Sequence, residues 1–202
     1  MTEVVLYHHV QGLTDGMGSF ADELRQAGHT VHTPDLFDGR TFATIEEGMS
    51  YAREAGFEAL VERGLAAAEE IRPDSVYAGF SFGVMPAQQL AQTRRGALGA
   101  VLMCGCLPVS EFSEVWPTAV PVQVHGKEAD EFFAEDLEAA RALVDSAEDA
   151  ELFLYPGEEH LFADSSLAGY DAEAAALLTE RVLAFLDRVG SEERAAPQAL
   201  RQ

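Results

Sequence analysis

Residues 75–90 read SVYAGFSFGVMPAQQL, and their pattern sets the architecture expected for the whole chain. Ser75–Ala78 is a short apolar run that predicts a buried strand, and Phe82–Thr93 has the spacing of an amphipathic helix. Between them lies GFSFG, a G-x-S-x-G turn centred on Ser81. Gly79 and Gly83 lack Cβ atoms, so a strand and a helix can approach closely while the serine is held on a sharp turn at the top of a sheet. A strand that feeds straight into a helix is part of a βαβ unit, and the flanking sequence tells whether the unit repeats.

It does repeat. Val4–Tyr7 predicts a buried strand, Ser19–Ala27 a helix ended by Gly28, and Thr30–His32 a second short strand stopped by Pro34. Ile45–Ile71 is helical in pattern, with a break near Gly56, and Pro73 closes it. Ala97–Met103, Pro121–His125 and Glu151–Tyr155 are further buried runs. DEFFAEDLEAARALVDSA (130–147) is an amphipathic helix between the last two, and a final helix is expected over Asp171–Val189. Strand–helix units with nearly continuous apolar strands imply an α/β three-layer sandwich: a mostly parallel central sheet with helices on both faces. The units share no repeated sequence, and there is no interdomain linker. One domain is therefore expected over residues 1–190, with the polar, Pro197-containing stretch 191–202 as a flexible tail. In such sheets ligands lie outside the carboxyl ends of the strands, so functional residues are sought just after strands.

Charge narrows the partners. Thirteen Lys and Arg against 35 Asp and Glu give a net charge of −22, which repels nucleic acid and anionic membranes and disfavours a highly anionic substrate. No apolar run approaches the roughly 18 residues a membrane span requires. The opening MTEVVLYHH carries an acid rather than a basic stretch, so no secretory signal is expected. Cys104 and Cys106 cannot build a disulfide framework, which fits a cytoplasmic protein. No neighbouring Cys or His completes a zinc set around them, and DGMGSF lacks the P-loop lysine and the dinucleotide spacing. The expectation is a small-molecule substrate, no metal or cofactor, and a monomer or homodimer.

The strand ends carry the chemistry. A serine hydroxyl is a poor nucleophile and needs a base beside it. The helix after Ser81 also points its first N–H groups toward charge developing on a substrate. Only His125 and His160 follow Ser81; His125 ends its strand in VQVHGKEAD, whereas His160 sits in the loop LYPGEEHLFAD. The orienting carboxylate is sought after Pro121–His125, where Glu128, Asp130 and Glu131 stand; Asp130 has the short side chain that holds an imidazole rigidly. Phe82, Trp116 and Phe162, with Phe80 and Met85, are read as an apolar pocket or as core. Arg40, the one basic residue in FDGRTF, is a substrate anchor or a surface ion pair.

GFSFG, VHGKEAD, YPGEEHLFADSS and the opening VVLYHHVQGLTDGMGSFADELRQAGHTVHTPDLFDG together resemble the dienelactone hydrolase family of α/β-hydrolases, in order and from about Val4 to Leu186. The resemblance implies a triad of Ser81, Asp130 and His160. It also implies an oxyanion hole made by the backbone N–H groups of Val10 and Phe82, and it brings His9 to the substrate pocket. Members that open dienelactones carry cysteine at the nucleophile and glutamate where His9 stands, and they hold a carboxylate with arginines, one of them shortly after the histidine, in the segment where this chain has HLFAD with Asp164. These departures point to a serine hydrolase of a neutral ester, thioester or lactone. The rival expectations are a binding protein that keeps the fold without catalysis, and a hydrolase of a non-ester bond.

Overall fold

The apolar runs pair as six parallel strands: β1 (Glu3–Tyr7), β2 (Thr30–His32), β3 (Val76–Phe80), β4 (Gly99–Met103), β5 (Val122–Lys127) and β6 (Ala150–Tyr155). The computed structural model describes residues 1–195. Strand order is β2-β1-β3-β4-β5-β6, and the register places Val4 beside both Val31 and Val76. From β1 the chain steps outward to β2, then returns to lay β3 on the other side of β1. The loops after β1 and β3 therefore diverge, leaving the kind of crevice in which open α/β sheets bind ligands.

Strand alternation sorts the core into two layers. Val5, Tyr7, Tyr77, Ala100 and Val124 face one side, under α2 (Ile45–Ala55), α3 (Phe57–Glu69), α4 (Val84–Thr93) and α5 (Glu131–Ser146). Val4, Leu6, Ala78, Phe80 and Met103 face the other, under α1 (Asp15–Gln26) and α6 (Ala172–Ala195). Strands β3, β4 and β5 are buried along their full length, which is why they read as unbroken apolar runs.

Several bounds differ from expectation for physical reasons. Helix α1 begins at Asp15, capped by the Thr14 hydroxyl that accepts the Met17 N–H, so it includes Gly16 and Gly18, residues that weaken a helical reading. The expected break near Gly56 divides α2 from α3, with Gly56 at φ 89°. Strand β5 continues two residues past His125 to Lys127, so His125 is a buried mid-strand residue rather than a strand end. Helix α6 runs to Ala195, overriding the expected tail over residues 191–195; the rest of that stretch lies outside the described residues. No helix among the described residues is long and apolar enough to cross a membrane.

Candidate active site

Ser81 stands on the turn between β3 and α4, in a single 3-10 turn over Ser81–Gly83. Its φ of 48° lies in the left-handed region, a conformation costing about 1–3 kcal/mol that persists only where the surroundings enforce it. The surroundings here are close backbones. A Cβ on Gly79 would lie 2.1 Å from the Gly83 carbonyl oxygen, and one on Gly83 would lie 2.5 Å from that of Tyr7. Both glycines are thus required for β1, β3 and the start of α4 to meet.

The Ser81 Oγ is 2.8 Å from His160 Nε2, and His160 Nδ1 is 2.6 Å from Asp130 Oδ2. Asp130 is buried and is the N-cap of α5; its other oxygen accepts the Phe132 N–H at 2.9 Å. One carboxylate therefore starts a helix and fixes an imidazole, and the short Asp side chain allows both. The His160 loop is anchored by Lys127 at the end of β5. The buried Lys127 ammonium donates to Glu159 at 2.5 Å and to Asp171, next to α6, at 2.8 Å. Those hydrogen bonds hold both carboxyls below the usual range.

A cavity of about 450 Å³ opens over Ser81 and His160. Val10 and Phe82 stand on its wall, with Ile45 and Met49 from α2, Met85 from α4, and the segment Cys104–Leu107 after β4. Phe132 and Asp136, one turn apart on α5, close another side; the Phe132 ring lies 4.9 Å from His160. Glu46, Arg53 and Glu135 complete the charged part of the lining. Asp136 accepts the Cys106 N–H at 3.1 Å, and burial raises its carboxyl above the ordinary value. Burial also pushes the Cys106 thiol up to about 12 and the Cys104 thiol well above its usual value, so both thiols stay protonated and uncharged.

A serine hydroxyl on an enforced turn, an imidazole bonded to it and a buried carboxylate behind that imidazole can together move a proton off the hydroxyl and hold the resulting imidazolium. The profile of the dienelactone hydrolase family matches residues 1–190. The chain belongs to the dienelactone hydrolase family. Membership makes it a hydrolase of the α/β-hydrolase fold. Solved structures agree on the fold. A dienelactone hydrolase-like promiscuous phosphotriesterase from metagenomic libraries is 19% identical with a TM-score of 0.71, over 94% of this chain and 87% of that one. A dienelactone hydrolase of Anabaena variabilis is 19% identical with a TM-score of 0.63, over 90% and 84%. Esterase 2 of Thermogutta terrifontis, in its apo form, is 15% identical with a TM-score of 0.68, over 94% and 84%. No curated protein sequence matches.

Within this dienelactone hydrolase frame, the expected pocket residues need correction. His9 is fully buried behind the wall, with Nε2 2.7 Å from Asp164 Oδ2. Arg40 is exposed and sits over the Tyr51 ring, 5.2 Å from its centroid. Trp116 is buried in the core and donates its indole N–H to the Val120 carbonyl at 2.6 Å. Phe162 is core as well, packed 5.2 Å from Tyr155. None of the four lines the cavity. The walls that sequence reading missed come from α2 and α5. Ile45 with Met49 is an apolar i, i+4 pair, the same signal as an ordinary core-facing stripe, and Phe132 with Asp136 is an apolar–acidic pair with no signal of its own; only the helices' positions over β-strand ends turn them toward a ligand.

Proposed function

We propose that the protein is a serine-dependent hydrolase that cleaves a neutral carboxylic ester, thioester or lactone through an acyl-serine intermediate. The carrying observation is the continuous run Ser81–His160–Asp130, with contacts of 2.8 and 2.6 Å, at the floor of the cavity. His160 takes the proton as the Ser81 Oγ attacks the carbonyl carbon, then delivers it to the leaving oxygen or sulfur. Water, deprotonated by the same imidazole, releases the acid and restores the hydroxyl. Asp130 keeps the Nδ1 proton on the side facing it and stabilises the imidazolium. The N–H groups of Val10 and Phe82 are the proposed oxyanion donors, each worth about 3–4 kcal/mol where such donors have been removed.

Apolar Val10, Ile45, Met49, Met85 and Leu107 on the cavity wall support an uncharged acyl or alcohol group. Glu46, Glu135 and Asp136 outnumber Arg53 there, which disfavours an anionic one. The test is a comparison of p-nitrophenyl acetate, its carboxylate-bearing succinate analogue, a neutral acyl thioester and a p-nitroanilide, with Ser81→Ala as control. Turnover of the neutral ester and thioester, weaker turnover of the anionic ester and none of the anilide is expected, all lost in Ser81→Ala. Ester hydrolysis that survives Ser81→Ala would exclude the serine mechanism, and preference for the anionic ester would exclude the neutral substrate class.

A further inference from the structure

The loop after β1 and the loop that carries His160 have no regular secondary structure, yet a buried polar knot joins them. His9 is its centre on one side. Its Nδ1 accepts the Gln11 N–H at 3.2 Å, so its proton sits on Nε2 and is donated to Asp164 Oδ2 at 2.7 Å. Asp164 is saturated on the other side. Its Oδ2 also accepts the Thr14 hydroxyl, and its Oδ1 accepts the Ser166 N–H at 2.8 Å and the Ser166 hydroxyl at 2.6 Å. Both side chains are essentially inaccessible, at 0% and 1% exposure. The first turn of α1 is shaped around the carboxylate, since a Cβ on Gly16 would fall 1.8 Å from Asp164 Oδ1. Burial by itself would raise the Asp164 carboxyl, but the His9, Ser166 and Thr14 donors outweigh it and hold the group at about 2, so a full negative charge faces the His9 N–H.

Position in the chain gives this knot its consequence. His9 precedes Val10, the proposed oxyanion donor, and Asp164 follows His160 by one turn, closed by the Asp164 N–H to the Leu161 carbonyl at 3.1 Å. Neither His9 nor Asp164 lines the cavity. We propose that His9 and Asp164 are positioning residues, a pin that sets the Val10 N–H and the His160 imidazole at a fixed mutual distance. This rests on the serine-hydrolase reading for its catalytic consequence, though the mechanical link between the two loops does not. The pin acts on the transition state rather than on substrate binding, because it governs where the oxyanion donor and the proton carrier stand relative to each other.

Asp164→Asn, His9→Gln and His9→Leu are compared with wild type in p-nitrophenyl acetate hydrolysis and in amide hydrogen exchange of residues 8–14 and 156–166. Asp164→Asn is expected to lower kcat about a hundredfold while leaving KM within about twofold, the cost of a misplacement near 1 Å. Exchange should accelerate in both segments together. His9→Gln, which keeps an N–H donor toward Asp164, should recover much of the activity that His9→Leu loses. Unchanged kcat in folded Asp164→Asn, or faster exchange in one segment only, overturns the pin. Should Asp164→Asn fail to fold, the contrast between the two His9 variants decides alone: equal activity and equal exchange rule the pin out. If wild type hydrolyses no ester, the reading as a serine-dependent ester hydrolase falls by itself, and joint or separate loosening of the two segments still decides whether the pin exists.

Discussion

Asp130 shows how much one side chain carries. One oxygen caps α5 through the Phe132 N–H and the other meets the His160 ring. Asparagine offers an equivalent cap, so Asp130→Asn separates the two tasks. The variant should melt within a few degrees of wild type, yet lose about 10⁴-fold in kcat on p-nitrophenyl acetate, because an amide facing Nδ1 allows the wrong tautomer. A loss under about tenfold would mean another group orients His160. Asp130 was one of three carboxylates open to sequence reading, and its length argued for it. Asp164, by contrast, signals in the sequence only an obstacle to an anionic substrate. Its contact with His9 joins residues 155 positions apart, a separation no local pattern reports.

Among the elements, β5 and α5 meet at a contact that leaves no room for a side chain at Gly126, where a Cβ would lie 2.3 Å from the buried Phe133 ring. Gly126→Ala must push Phe133 aside and with it the start of α5, which bears Asp130. Such overpacking costs about 1–3 kcal/mol, read as a lower urea midpoint, and hydrolysis should fall further than the fraction unfolded explains. A variant with wild-type midpoint and activity would show that α5 shifts freely at that end. The strands and most helices were legible because burial on both faces makes apolar runs and helix burial makes a 3.6-residue stripe. The start of α1 was not, because Gly16 and Gly18 weaken a helix signal and Gly16 is there to clear Asp164. Nor was the cavity wall, because a stripe that faces a ligand and one that faces a core look alike in sequence.

For the molecule as a whole, two buried histidines set an acid limit. His125 is held at about 3, first by burial and then by the Arg181 charge. His8 is held at about 4, mainly by burial, with its Nε2 accepting the Leu36 N–H at 2.9 Å. In the unfolded chain both bind a proton near pH 6.5, so there the unfolded state holds more protons than the folded one. Their contribution to stability is fully present above about pH 6.5 and declines as pH falls toward 4 and then 3. Urea midpoints should drop between pH 7 and pH 4.5, and less steeply in His125→Gln; identical slopes would remove His125 from the explanation. The parallel sheet with helices on both faces, and the placing of functional residues just after its strands, follow from the strand–helix alternation visible in the sequence; the strand order, and with it the divergence of the loops after β1 and β3, is set by tertiary pairing. Which residues fill the space above that site depends on tertiary placement.

Covalent labelling with a fluorophosphonate, mapped by mass spectrometry at near-neutral pH, is the experiment to do first. The reagent needs only an activated serine and an oxyanion site, and the cavity of about 450 Å³ over Ser81 accommodates a small one. Modification confined to the peptide containing Ser81, and lost in Ser81→Ala, is expected. A folded protein that stays unlabelled, or is labelled equally in Ser81→Ala, would mean that the Ser81–His160–Asp130 contacts do not make a working nucleophile.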